Sequence, residues 1–293
     1  MTKLNRNTIL TEQGEIISHQ AFDGEQYIIT LSAPNIAKRA LAGSFVHLQC
    51  DQSLPMRRPI SIMQADQASG TITLLYKALG QGTQLLSKRQ VGETLDILGP
   101  IGTPFELHSD KPRPLLIGGG VGIPPMVFIA ETIAQLKKNF QPFVIMGSEV
   151  PFPFQLQASN IDVAGIPDTI SATMPLLEDL QIATRLCSLQ NYTGVYQGYV
   201  TDLARLWLDS LTRQQRSEVE LFSCGPTPML AAVTKLAKEF DLPCQVSLEE
   251  YMACAVGGCA GCVVKIIDNG KAAMKRVCVD GPVFNAHQVE MFT

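Results

Sequence analysis

Cys254, Cys259, Cys262 and Cys278 crowd into one short stretch near the C-terminal end, while Cys50, Cys187, Cys224 and Cys244 are scattered through the rest of the 293 residues. The first three of the group are spaced Cys-x4-Cys-x2-Cys, the spacing with which plant-type ferredoxins begin their hold on a 2Fe-2S cluster, and Cys278 supplies a fourth thiolate. Between them lie only Ala-Val-Gly-Gly and Ala-Gly. A loop that wraps two irons must bring backbone N–H groups against the sulfurs, and bulky side chains would hold it off. The alternative is a structural zinc site with four cysteine ligands. Such sites more often show two Cys-x2-Cys knuckles, and here only Cys259 and Cys262 have that spacing. In a chain without an export signal, local crowding speaks for metal ligation over disulfides. The scattered cysteines read as small buried hydrophobes, Cys224 excepted.

Three further segments carry residue types that hold anionic cofactors. Arg57-Arg58-Pro59-Ile60-Ser61 opens one strand, and Tyr76-Lys77-Ala78-Leu79-Gly80-Gln81-Gly82-Thr83 follows the next. A fixed guanidinium pairs with a diphosphate, a hydroxyl bonds a flavin ring edge, and glycines let the backbone approach phosphate oxygens. Either segment in isolation reads equally as an arginine before a strand or as a hairpin turn. Gly118-Gly119-Gly120-Val121-Gly122 follows the apolar run 115–117, at the strand-to-helix point where open parallel sheets bind ligands. It is not a Rossmann fingerprint, because the third glycine position falls on Ile123 or Pro125, nor a P-loop, because no Gly-Lys-Ser/Thr follows. Cys224-Gly225-Pro226 is a second strand-end turn, and the two can face one nucleotide across a sheet edge.

Positioning these segments takes two kinds of architecture. Residues 14 to 110 hold six short alternating segments separated by turns, which predicts an antiparallel barrel or sandwich. After the polar, proline-bearing stretch 108–114 the period changes. A strand at 115–117 leads to a helix opened by Pro124 and Pro125 and closed near Lys137 and Lys138; a strand at 143–146 follows, then a helix over 202–211 capped by Thr201, a strand at 219–222 and a helix over 227–240. That alternation predicts a parallel sheet with helices on its faces. Residues 148–198 read as irregular. The expected domains are therefore 1–110, a β-barrel, 111–243, an α/β domain, and 244–293, a small cluster-binding module, the first two being the FAD-binding and NAD-binding domains that the resemblance given below implies. A net charge of −4 and a pI of about 5.6 leave no basic field for a nucleic acid. No apolar run has the length of a membrane span, and the start lacks the apolar core of a signal peptide, so a cytoplasmic protein is expected.

The order Arg-Pro-x-Ser, Gly-x-Gly-Thr, Gly-Gly-Gly-Val-Gly-x-Pro-Pro, Cys-Gly-Pro-x-x-Met resembles the ferredoxin-NADP reductase superfamily, in which a flavin-binding Greek-key barrel precedes a pyridine-nucleotide domain. Within it, the tail EEYMACAVGGCAGCVVKI with VCVDGPVF is similar to the electron transfer subunits of the two-subunit, NAD-linked dihydroorotate dehydrogenases. The resemblance runs from about residue 12 to 290 and is most specific over 249–284. It implies FAD, a 2Fe-2S cluster and NAD as cofactors. Arg58, Pro59, Ile60 and Ser61 would contact FAD, with Arg58 on the diphosphate and Ser61 near the reactive ring edge. Leu75, Tyr76 and Lys77 would line the flavin, and Gly82 and Thr83 would complete the diphosphate site. Gly118, Gly119, Gly120 and Gly122 with Cys224, Gly225 and Pro226 would hold NAD, with Cys224 near the nicotinamide; Ser61 and Cys224 are thus the candidates nearest the chemistry. The four clustered cysteines would ligate the cluster.

Two departures stand out: Ile60 occupies a position where many members of the superfamily have tyrosine, and the segment before Gly198–Asp202 is unusual. The implied activity is that of an oxidoreductase subunit in electron transport. It would pass electrons between an FMN-containing, dihydroorotate-oxidising partner and NAD+ in pyrimidine biosynthesis, in a heterotetramer of two plus two, without forming orotate itself. The same machinery with another partner, of sulfide dehydrogenase or ferredoxin reductase type, is the nearest rival. A non-enzymatic metal or redox sensor would leave Arg58–Ser61 and Gly118–Gly122 unexplained.

His19, His47, His108 and His287 form no spaced pair and read as structural or surface residues. Glu249 and Glu250 read as a solvated acidic pair, and Met252 and Val256 as core or as shields of the cluster. Glu149, after the second strand of the nucleotide domain, is placed to bond a ribose hydroxyl, which would favour NAD over NADP.

Overall fold

The computed structural model describes residues 9–136 and 139–292. Lys137 and Lys138 lie outside the described residues. The chain divides into two compact units, Met1–Phe105 with Ser247–Phe284, and Glu106–Val246 with Asn285–Thr293. Most of the cysteine-bearing tail is grouped with the N-terminal barrel.

In the first unit the six alternating segments form β1 (Leu10–Phe22), β2 (Gln26–Ser32), β3 (Phe45–Leu48), β4 (Arg58–Asp66), β5 (Thr71–Lys77) and β6 (Thr94–Ile101). They close into a barrel in the order β1-β2-β5-β4-β3-β6, with antiparallel neighbours throughout. Period-two alternation explains the closure, since it sends Ile16, Ile29, Leu31, Ile62, Ile72, Leu74 and Ile97 inside, each fully buried. Each such side chain contributes about 1.5–3 kcal/mol of burial. Short helices α1 (Pro34–Ala37) and α2 (Gln81–Leu86) fill two of the connections.

The second unit holds β7 (Arg113–Gly119), α3 (Ile123–Gln135), β8 (Phe143–Gly147), β9 (Gln157–Ala158), β10 (Ala172–Thr173), α4 (Pro175–Asp179), β11 (Ala183–Ser188), β12 (Tyr196–Gln197), α5 (Val200–Ser210), α6 (Arg213–Ser217), β13 (Val219–Cys224), α7 (Thr227–Glu239) and β14 (Cys244–Ser247). The main sheet runs β12-β11-β8-β7-β13-β14. The pairs β7/β8, β8/β11, β11/β12 and β7/β13 are parallel, as the strand and helix alternation predicts. Two expectations are corrected. Helix α5 starts one residue before Thr201, because the Asp202 carboxylate accepts from the Tyr199 N–H at 3.3 Å and makes Tyr199 the cap. The stretch 148–198 is structured: β11 was hidden by Arg185, which sits buried in mid-strand and donates to the carbonyls of Thr184 (2.8 Å) and Ile161 (2.7 Å).

The cysteine tail forms a hairpin of β15 (Val263–Asp268) and β16 (Lys271–Arg276), followed by α8 (Val277–Asp280). Its turn places Asn269 and Gly270 at positive φ, the residue pair this tight connection favours. The tail is tied to the barrel end: the Thr103 N–H donates to the Gly281 carbonyl at 2.6 Å, and a Cβ on Gly102 would stand 2.3 Å from the Pro282 ring. Among the described residues no helix is long and apolar enough to cross a membrane.

Candidate flavin, nucleotide and cluster sites

The candidate flavin site begins where two barrel strands part. β4 and β5 are paired from Ile62–Leu74 onward to Asp66–Thr71, but no pairing joins Arg58–Ser61 to Leu75–Lys77. Each of those segments is held on its other side, by β3 and β2 respectively, so each keeps one unpaired backbone edge for a planar ligand. The two adjacent arginines separate here. Arg57 is committed to Asp96. Arg58 has no carboxylate partner among the described residues; it donates only to the carbonyls of Met56 (2.9 Å) and Arg57 (3.2 Å). Gly82, in the first turn of α2, lies against that guanidinium, and a Cβ there would meet its Nε at 2.9 Å. A guanidinium without a carboxylate partner, lying against Gly82 in the first turn of α2, fits a diphosphate. Thr83 is already engaged with the cap, its hydroxyl donating to the Gly80 carbonyl at 3.1 Å and accepting the Gly80 N–H.

The side chains of the flavin-lining candidates are less available than their backbone. Ile60, Leu75 and Tyr76 are buried, while Ser61 and Lys77 are half-buried and Pro59 is exposed. Tyr76 stacks on Tyr27 with ring centroids 5.4 Å apart, and its hydroxyl bonds His19 Nε2 at 2.8 Å. Burial pushes the phenol pKa well up, so it stays protonated. His47, on β3 opposite Pro59, is 2% exposed and its Nε2 has no hydrogen-bond partner. Burial lowers its pKa, against the backbone of Met252 and Arg57 beside the ring. A neutral histidine thus stands between the flavin strand and the segment leading to Cys254.

The two glycine turns meet as expected. Cys224 pairs with Gly118 at the carboxyl ends of β13 and β7. A Cβ on Gly122 would stand 2.2 Å from the Cys224 carbonyl oxygen, and one on Gly119 2.5 Å from Met229 Sδ. Gly120 adopts a left-handed φ of +55°, and nothing lies within 4 Å of its Cβ position. Here glycine lets neighbouring turns touch and leaves a clear floor at the helix start, where a phosphate fits. Cys224 itself is fully buried, and Glu149 is exposed just beyond β8.

The four cysteines come together two by two. Cys254 and Cys259 sulfurs lie 3.4 Å apart, and Cys262 and Cys278 sulfurs 3.3 Å apart. Both separations exceed the bond of a disulfide, about 2.05 Å. They are close to the roughly 3.8 Å edge of a tetrahedron with metal–sulfur bonds of about 2.3 Å. Two such pairs suit the two irons of a 2Fe-2S cluster. The loop is shaped for sulfur ligands: Ala255, Gly257 and Ala260 take positive φ. Burial alone would push the Cys254 thiol up, but N–H groups of Cys259, Val256 and Gly258 and the Cys259 thiol pull it down to about 7. Burial and then the Cys262 thiol push Cys278 up to about 12, against the Gly257 N–H. The first pair lies toward solvent and the second is buried.

This fold and these sites define an electron-transfer oxidoreductase of the ferredoxin-reductase kind, which binds FAD and an iron–sulfur cluster. Residues 10–105 match the family of oxidoreductase FAD-binding domains, and residues 249–290 the iron-sulfur cluster binding domain of dihydroorotate dehydrogenase B. The NADH-dependent reduced ferredoxin-NADP oxidoreductase structure is similar at a TM-score of 0.73 and 25% identity, covering 95% of this chain and 90% of that one. The ferredoxin reductase in carbazole 1,9a-dioxygenase shares the fold at a TM-score of 0.59 and 18% identity, over 80% and 67%. The dihydroorotate dehydrogenase B (NAD(+)) electron transfer subunit of Desulforamulus reducens is 32% identical over 90% of this chain and 92% of its own. That of Bacillus caldolyticus is 33% identical over 95% and 98%. The chain belongs to the family of dihydroorotate dehydrogenase B electron transfer subunits.

Proposed function

We propose that the chain carries electrons from a partner subunit that oxidises dihydroorotate, through a 2Fe-2S cluster and FAD, to NAD+. The pairing of four sulfurs two by two, in the same compact unit as a barrel parted between β4 and β5, is the observation that supports it most. FAD supplies the exchange between one-electron steps at the cluster and hydride steps at the nicotinamide.

This chain's residues bind and orient. Cys254 and Cys259 would hold one iron, and Cys262 and Cys278 the other. Arg58 with Gly82 and Thr83 would bind the FAD diphosphate, Ser61 would bond the reactive ring edge, and Pro59 and Ile60 with the free edge of Leu75, Tyr76 and Lys77 would line the flavin. Gly118, Gly119, Gly120 and Gly122 take the NAD phosphates with Gly225 and Pro226. Cys224, being covered by the protein itself, backs the turn beside the nicotinamide without touching the ring and is not a proton donor. Glu149 bonds a ribose hydroxyl and so selects NAD over NADP. In these terms residues 1–110 are the FAD domain, 111–243 the NAD domain and 244–293 the cluster module.

The partner is an FMN-containing catalytic subunit, assembled two plus two with this chain, and the orotate-forming step is its own. Tyr251 (96% exposed), Val256 and Met274 give the cluster segment an apolar exterior suited to such a contact. None of the four cysteines outside the cluster loop, Cys50, Cys187, Cys224 and Cys244, is in a disulfide, in keeping with a cytoplasmic location.

The test is reconstitution. The loaded chain, mixed with the FMN subunit, should form NADH from dihydroorotate, and neither component should do so alone. Reduction of NAD+ by sulfide or reduced ferredoxin, but never by dihydroorotate with that subunit present, would replace the partner reading.

A further inference from the structure

We propose that Arg276 is a positioning residue that raises the reduction potential of the cluster: its guanidinium, fixed on the Gly257 carbonyl inside the loop between Cys254 and Cys259, holds a positive charge beside the ligand loop and polarises the Gly257–Gly258 peptide. The inference rests on the ligand assignment above.

Arg276 ends β16 opposite Val263, the residue after Cys262. Its Nη1 donates to the Gly257 carbonyl at 3.0 Å. Its backbone N–H donates to the Asp280 carboxylate at 2.9 Å, and that carboxylate lies 3.6 Å from its Nε. The head group is therefore held from both sides. Gly257 has a φ of +83°, and a Cβ there would meet Val279 Cγ2 at 2.5 Å and Arg276 Nη1 at 3.3 Å. Only glycine lets the loop settle onto the arginine.

Gly257 lies between Cys254 and Cys259 in the chain, so the carbonyl that takes the Arg276 guanidinium belongs to the loop that carries the first sulfur pair. A cation bonded to a peptide carbonyl strengthens the N–H of the same peptide as a donor. Stronger N–H donation to the sulfurs, and a positive charge near them, both favour the cluster state that carries one more electron. Asp280 offsets part of that charge while fixing its place.

The experiment is a redox titration of the FAD- and cluster-loaded chain, read by the electron paramagnetic resonance of the reduced cluster. With Arg276→Gln, the ratio of reduced to oxidised cluster at a fixed potential should fall about tenfold, as expected for losing a nearby unit charge that favours the state with one more electron. Arg276→Lys, which keeps the charge, should stay between the wild type and Arg276→Gln. Asp280→Asn, which keeps an acceptor for the Arg276 N–H, should raise the ratio. A loaded Arg276→Gln chain with the wild-type ratio overturns the proposal. If that variant loads no cluster, Asp280→Asn decides, and an unchanged or lowered ratio there overturns it as well. Iron and sulfide in the wild type test the ligand assignment separately: a wild type without them sinks that assignment, whereas a loaded wild type with unmoved variants sinks only the role of Arg276.

Discussion

Gly82 lies so close to Arg58 that a Cβ at position 82 would stand 2.9 Å from Nε and 3.1 Å from Cζ of the guanidinium. The arginine is thereby aimed over the start of α2 while its neighbour Arg57 is spent on Asp96. Arg58→Ala should weaken FAD binding by about 1.5–3 kcal/mol, roughly ten- to a hundredfold. Gly82→Ala should weaken it less, by displacing the same group. Quenching of FAD fluorescence by the apoprotein measures both, and undiminished affinity in Arg58→Ala would remove that residue from the site.

Cys259 is the exposed member of its pair. Cys259→Ser should lose the visible absorbance of the cluster while FAD stays bound. Iron and sulfide analysis provides the check, and contents equal to the wild type would refute the assignment.

Gly122 touches the turn after β13 through backbone alone, with only 2.2 Å between its Cβ position and the Cys224 carbonyl oxygen. Gly122→Ala forces the two turns apart, at a cost of about 1–3 kcal/mol as for an overpacked core. Calorimetry should show weakened NADH binding with FAD content intact. Wild-type NADH affinity in a folded variant would mean that these turns do not form the nucleotide site.

His108 and His47 give stability opposite pH dependences. The hydrogen bond from His108 to Glu220, 2.8 Å long, raises the imidazole pKa above its ordinary 6.5. Its contribution is full below pH 6.5 and is lost as the pH rises through the higher folded value. Burial lowers the His47 pKa, so its contribution is present above 6.5 and is lost as the pH falls through the lower folded value. In thermal melts, His108→Gln should therefore lower Tm more at pH 6 than at pH 8. An equal loss at both would show that the charge of His108 plays no part.

The barrel was legible because alternation of apolar residues survives in most of its strands, although β3 is buried throughout. The glycine turns and the cysteine spacing were legible because each demands particular residue types. Strand β11 was not, since Arg185 interrupts its apolar run and is accommodated only through carbonyls that the fold brings to it. Which of Arg57 and Arg58 is free depends on Asp96, a partner on another strand. The parting of β4 from β5 is a matter of register, which residue types do not announce. Nor does Cys spacing say which sulfurs pair; that is decided where the Val277 N–H bonds the Cys262 carbonyl at 2.9 Å and draws Cys278 to Cys262. The place of His47 beside the flavin strand follows only from the pairing of β3 with β4, and the bond from Arg276 to the Gly257 carbonyl only from the folding of the cysteine loop onto the end of β16.

An anaerobic titration of the loaded chain with NADH, followed in the visible spectrum, tests the nicotinamide, flavin and cluster sequence most directly. The account predicts that the flavin and cluster bands both bleach, and that adding the oxidised FMN subunit restores the colour. A chain that contains iron and sulfide, yet whose cluster band persists after the flavin is fully reduced, would contradict it.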